Sequence, residues 1–306
     1  ESIMFEYLPI QWLFLFYFYS FFGWCFESAY VSILEKKPVN RGFMRGPFLP
    51  LYGCGGVMML VASKPFYGNL LLVYVAGCIG ATTLEYITGV TMEALFKVRY
   101  WDYSHKPFNF KGHICLESTL FWGVLTVVFS HFLQIPIEHM VRAIPYHVLS
   151  VLTLIVTFCI GGDFMIAFKT AIDLRDVLIY MEKAKDEMRK MQKRLDALVT
   201  SKSENVKGGI ETRVDALSAT LESSFKKIRE KINVNPSGYV NDVKDEISEL
   251  YAKYRILMSK LTPEPIKGFF EWYREKTIQG NPSMVSEKFK LSLEEIKEKV
   301  SNIRKK

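Results

Sequence analysis

Glu85, Gly89 and Glu93 stand four residues apart in the apolar run CIGATTLEYITGVTMEALF, so on a helix both carboxylates share one face with a small residue between them. Glu27 sits in FFGWCFESAY and Glu117 in HICLESTLFWG, each again among apolar and aromatic neighbours. A charge in hydrocarbon costs a few kcal/mol or more, so such residues face a bundle interior, a cavity or a partner. Two chemistries follow. Arg41 and Arg45, in NRGFMRGP, can neutralise two of the acids and lock the loops in place. Alternatively, the acids form a pocket that coordinates a cation or exchanges a proton, because desolvation raises a carboxyl pKa. Asp102, Asn109 and His113, in WDYSHKPFNFKGHICLES, are then either the lip of that pocket or the anchors of a tight turn.

Other chemistry is weaker. His131, His139 and His147 recur at intervals of eight, but the series crosses Pro136 and Pro145, and no metal site is assigned to it. The five cysteines fall one to each apolar run without CxxC spacing, which argues against a zinc site or a disulfide framework. There is no GxxxxGK[ST] loop, no HExxH and no GxSxG, so neither a catalytic residue nor a cofactor is assigned and the chain is not expected to be an enzyme. His113 and Glu117, one helical turn apart, leave an intramembrane hydrolase as a remoter alternative.

The elements that must position the acids are apolar. Five runs, at 8–34, 47–63, 69–96, 112–134 and 146–169, approach the 20 or so residues a membrane span needs. The second is short, begins with Pro47 and Pro50 and carries Gly53, Gly55 and Gly56, which suits a broken or re-entrant helix. The segments 35–46 and 97–111 each hold four basic residues, whereas 64–68 and 135–145 hold one each. The positive-inside rule therefore puts the N-terminus outside and the first two segments, with the tail, in the cytoplasm. All four glutamates then lie in the cytoplasmic halves of their spans.

Charge divides the chain. Residues 171–306 carry 28 of the 39 Lys+Arg and 22 of the 32 Asp+Glu, against 11 and 10 in 1–170. Because acids interleave with bases in the tail, a solvated helical surface near anionic lipid is expected rather than nucleic-acid binding. Leu174, Val177, Met181, Ala184, Met188, Met191, Leu195 and Leu198 keep heptad spacing over four heptads. Two further apolar series, from Val214 to Ile232 and from Val243 to Leu261, follow breaks at 201–209 and 233–239. The breaks favour an intramolecular bundle over a coiled-coil homodimer through 171–199. The expected fold is thus all-α: a polytopic membrane bundle of about five transmembrane helices in 1–170, then a cytoplasmic helical or coiled-coil domain in 171–306.

Three blocks carry a resemblance. GWCFES at 23–28, NRGFMRGPFLPLYGCGG at 40–56, and EYITGVTMEALF at 85–96 followed by WDYSHKPFNFKGHICLESTLFWG at 101–123 are similar to the signature of the Putative ABC-transporter type IV family of bacterial integral membrane proteins. The resemblance spans about residues 8–170. It implies a bacterial plasma membrane and a permease subunit working with a separate ATPase; it supplies no substrate and no site residues. Combined with the acids, it leads to the expectation of a small polar or ionic substrate bound on the cytoplasmic side by Glu27, Glu85, Glu93 and Glu117 with Arg41, Arg45, Asp102, Asn109 and His113. The alternative is a membrane-anchored scaffold whose helical tail binds a cytoplasmic protein.

Overall fold

The computed structural model describes residues 6–199, 213–234, 241–261 and 277–303. The chain divides into two compact units, Glu1–Ile172 with Tyr273–Val285, and Asp173–Trp272 with Ser286–Lys306.

In the first unit, α1 (Pro9–Glu35) and α2 (Pro50–Ser63) both open on a proline, whose missing N–H is no loss in the first turn of a helix. They cross closely: a Cβ on Gly23 would overlap the side chain of Tyr52. The next helix, α3 (Leu70–Phe96), is capped by Asn69, whose Oδ1 accepts from the amides of Leu71 and Leu72 at 3.0 and 3.2 Å. It buries Val73, Gly77, Ala81, Glu85 and Gly89 at intervals of four, one face of a helix. A Cβ on Gly77 would overlap Thr126 of α4 (Leu116–Val128), so the small residue is what lets these helices approach.

The fourth apolar run differs from expectation at both ends. Residues 109–115 form a hairpin of β1 (Asn109–Phe110) and β2 (Ile114–Cys115), and α4 begins only at Leu116, with the Cys115 sulfur accepting from the Ser118 amide. Past α4 the helix continues through a π turn, Phe129–Leu133, into α5 (Gln134–Ala143), so most of the expected outer loop 135–145 is helical. Pro136 has no N–H for the Phe132 carbonyl, and the wider turn lets the helix continue across that gap.

The last helix of the unit is the first part of α6 (Tyr146–Val199). Among the described residues, three helical stretches, Leu70–Phe96, Leu116–Ala143 and Tyr146–Ala197, are long and apolar enough to cross a membrane. The aromatic-rich α1 and the 14-residue α2 are not among them. Large apolar side chains point outward along these helices, among them Ile79, Ile87, Phe121, Val151, Ile155 and Phe158. A soluble protein rarely exposes so much apolar surface, whereas lipid requires it.

The second unit is built from the rest of α6 with α7 (Val214–Val234), α8 (Asn241–Leu261) and α9 (Lys290–Ile303). Leu174, Met181, Ala184, Met188, Met191 and Leu195 of the heptad series are buried within this single chain, as are Leu221 and Phe225 of α7, Ile247 and Tyr254 of α8, and Leu293 and Ile296 of α9. Gln192 of α6 donates to Ser224 of α7, Arg194 pairs with Glu246 of α8, and Lys185 donates to Ser292 of α9. The described elements thus cover one another's apolar stripes. The break at 201–209 and a helix expected near 264–278 fall almost wholly outside the described residues. The helix expected from about 284 starts at Lys290; before it, 281–285 is irregular backbone whose Asn281, Ser283 and Val285 bond to loops of their own unit.

Candidate functional site

A cavity of about 370 Å³ opens in the first unit among α1, α2, α3, the segment around Arg41 and the part of α6 that carries Phe164 and Phe168. Leu49, Leu51, Met92, Leu95 and Phe96 make its wall mainly apolar, and Thr88 and Thr91 add hydroxyls. Of the candidate site residues, two line it: Glu27 from α1 and Arg41 from the following loop.

Those two are held from several sides. Tyr52 Oη donates to Glu27 Oε1 at 2.7 Å, and Arg41 Nε lies 3.7 Å from Glu27 Oε2. The remaining guanidinium nitrogens of Arg41 donate to Asn281 Oδ1 at 2.9 Å, to the carbonyls of Gly280 and Tyr100 at 3.4 Å, and to Ser283 Oγ at 3.3 Å. Asn281, 1% exposed, also donates to the carbonyls of Gly42 and Thr277. Two backbone bonds between Arg99 and Val285, at 2.7 and 2.9 Å, fasten the same C-terminal segment to the loop after α3. The cavity wall around Arg41 is therefore tied to residues 277–285.

The other acids stand in separate clusters. Glu85, 6% exposed, accepts from Tyr103 Oη and Trp122 Nε1, both at 3.1 Å, and from Ser118 Oγ at 3.4 Å. Burial, and secondarily the Glu85 charge, holds the Tyr103 phenol above the usual tyrosine range, so it stays a donor. Glu93 meets Arg99 Nε at 2.8 Å and His113 Nε2 at 3.1 Å, with Asp102 on the far side of Arg99 at 3.9 Å. Glu117 is exposed and pairs with Lys106 at 2.8 Å, so it and His113 belong to different clusters.

Within the loop, Asp102 accepts from the amide and hydroxyl of Ser104, and Asn109 bonds to the carbonyls of Ser104 and Lys106 and to the Gly112 amide. These are the bonds of a knitted turn. The Asn40 amide donates to the carbonyl of Arg45. Among the described residues no group of three His, Cys, Asp or Glu could hold a metal ion.

Several lining and holding residues escaped sequence reasoning. Tyr52, Tyr100 and Asn281 carry no spacing signal, because their partners are far away in the chain. Tyr100 and Trp101 line the cavity as well.

Residues 14–168, just over half of the chain, match the model of the family described as Putative ABC-transporter type IV. The chain belongs to that family. No curated protein and no solved structure matches it. The matched region begins within α1 and ends at Phe168, so it contains every part of this family member's cavity wall.

Proposed function

We propose that this chain is the membrane component of a transport system and that its substrate is engaged in the cavity beside Glu27 and Arg41. The observation that carries the proposal is the cavity itself, bounded by helices of a transporter family and containing one charged pair in a mainly apolar wall. An acidic pocket for a small ion has less support, because Glu85, Glu93 and Glu117 each face a different partner set. In this proposal α1 and α2 join the three long apolar stretches in the plasma membrane, the N-terminus lies outside, the loops at 35–46 and 97–111 lie in the cytoplasm, and a separate ATPase subunit supplies energy.

The test is co-purification of the full chain from native membranes in mild detergent, followed by reconstitution. The proposal expects a nucleotide-hydrolysing subunit at fixed stoichiometry, whose ATPase activity falls when Thr91→Trp fills the cavity. Absence of such a subunit, or ATPase activity indifferent to Thr91→Trp in a folded chain, overturns it. A membrane-anchored scaffold is the second proposal, favoured by the separate core of the helical unit; it expects a soluble protein bound to 171–306 instead.

A further inference from the structure

The loop between α3 and α4 does not stand off the end of α3; it folds back along it. Tyr103 Oη reaches Glu85 Oε1 at 3.1 Å, the Phe110 ring lies 5.5 Å from that of Tyr86, and a Cβ on Gly89 would come within 2.9 Å of His113 Nδ1. These contacts fall seven to eleven residues before Phe96, the last residue of α3. At 1.5 Å per residue that is roughly 10–16 Å back along the helix axis. Ser118 and Trp122 of α4 also donate to Glu85, so α4 starts near the same level.

That level is where the hydrocarbon of a bilayer ends. Leu70, Leu71 and Leu72 are exposed at the start of α3, and Glu85, which is buried, is the first charged residue after them. A span takes about 20 residues, which counted from Leu70 end near Gly89. The hairpin of β1 and β2 therefore lies beside α3 at the membrane edge, with Phe96 and Lys97 standing further out.

The outer side of the hairpin is apolar. Phe108 is 83% exposed and Phe110 53%. Phe110 packs on Tyr86, which shares a helical face with Ile79, Thr83 and Val90, all three exposed. The Thr83 hydroxyl bonds to the Ile79 carbonyl of its own helix at 2.7 Å, so it presents no unpaired donor to lipid. Phe108 has φ 51°, in the left-handed region that favours glycine and disfavours a bulky side chain. Since little of its ring touches protein, packing among the described residues does not account for a phenylalanine there. Lys111 is exposed, with its ammonium 5.7 Å from the centre of the Phe110 ring. Such a lysine lays its stem on apolar surface while its head reaches polar groups.

We infer that the tip of this hairpin is a phospholipid anchor, with Phe108 and Phe110 in the interfacial layer beside α3 and Lys111 at the level of the phosphates. Phospholipid is the occupant because the patch continues the exposed apolar stripe of α3 at the depth where hydrocarbon gives way to head groups. The inference rests on α3 and α4 crossing the membrane; it holds on either face and is independent of the transport reading.

The experiment uses the full chain in nanodiscs of phosphatidylethanolamine and phosphatidylglycerol, with photoreactive p-benzoylphenylalanine placed singly at 108, 110 or 158. Phe158, 81% exposed in the apolar part of α6, is the lipid-facing control. After irradiation, intact-mass measurement should show phospholipid added at 108 and 110 in a yield within about threefold of that at 158. A lower yield overturns the anchor, and so does crosslinking of position 108 to a second protein. Lys111→Glu should reduce the share of phosphatidylglycerol among the adducts at 110; an unchanged share overturns the placement of Lys111.

Amide exchange across 104–112 in the same nanodiscs gives a second reading. Phe108→Ser should accelerate it, whereas Phe108→Trp, whose ring also suits the interface, should leave it near the original rate. Equal rates in the two variants overturn the anchor.

Discussion

Arg41 and Asn281 are 240 positions apart in the chain, and Arg41 Nη1 donates to Asn281 Oδ1 at 2.9 Å. The asparagine is a junction rather than a lone contact, since its amide also reaches the carbonyls of Gly42 and Thr277 at 3.0 and 2.8 Å. Asn281→Ala should therefore cost about 1–3 kcal/mol, the penalty of leaving buried groups unpaired. Thermal unfolding of the full chain in detergent checks the size. Limited proteolysis checks the place: cleavage should rise within 277–285. Unaltered stability and unaltered cleavage would show that the segment is held by Arg99 and Val285 alone.

Gly23 lies one helical turn before Glu27 and gives Tyr52 the room it needs to reach that carboxylate. Gly23→Ala should push Tyr52 away, with an overpacking cost of about 1–3 kcal/mol. A companion variant, Tyr52→Phe, removes the hydrogen bond without the clash and should be milder. Comparing the two melting temperatures separates steric from hydrogen-bonding effects; equal losses would refute the steric account.

Glu85 is surrounded by three donors from the 97–115 loop and α4. Replacing it by Leu leaves Tyr103, Trp122 and Ser118 facing an apolar group, at a cost on the order of 3 kcal/mol. Glu85→Gln keeps an acceptor oxygen and should retain most of the stability. The indole fluorescence of Trp122 offers a second readout, shifting in the Leu variant and little in the Gln variant. If both variants behave alike, the donors do not depend on Glu85.

In the helical unit, Glu295 of α9 is 2% exposed, accepts from the Val214 amide at 2.8 Å and lies 3.8 Å from Lys185 of α6. Glu182 and Arg189 of α6, Arg213 just before α7, Asp215 of α7 and Lys299 of α9 are further charges around this pair. Burial, partly offset by Lys185, raises the Glu295 carboxyl above the ordinary glutamate value of 4.5. As pH rises through that value the unfolded chain releases this proton first, so the folded state loses relative stability until pH passes the raised folded value. Melting temperature between pH 4 and 8 should carry this falling contribution, and Glu295→Gln should remove it. A slope unchanged by the substitution would assign the pH dependence elsewhere. In Glu295→Ala, hydrogen exchange at the Val214 amide should accelerate.

Helix positions were legible in the sequence to within a few residues where hydropathy or heptad spacing ran unbroken, as for α1, α3 and the buried series from Leu174 to Leu195. The hairpin at 109–115 and the continuation past Pro136 were not. A two-residue strand has no measurable period, and a proline signals a break whether or not a π turn bridges it. Glu85 was legible as a buried group, because charge in an apolar run needs a partner, but which partner was not; Glu117, read in the same way, is exposed.

What the sequence determined by itself, then, is the helical class, the family, the apolar first part and the charged second part, since each depends on composition or on spacing within one helix. Tertiary structure alone decided that Glu85, Glu93 and Glu117 have separate partners, that Glu27 and Arg41 share a cavity with Tyr100, and that residues 277–285 bond to the loops of the first unit. Those contacts join residues on different elements, in the last case about 240 positions apart, and no local propensity or periodicity records which distant group will meet them.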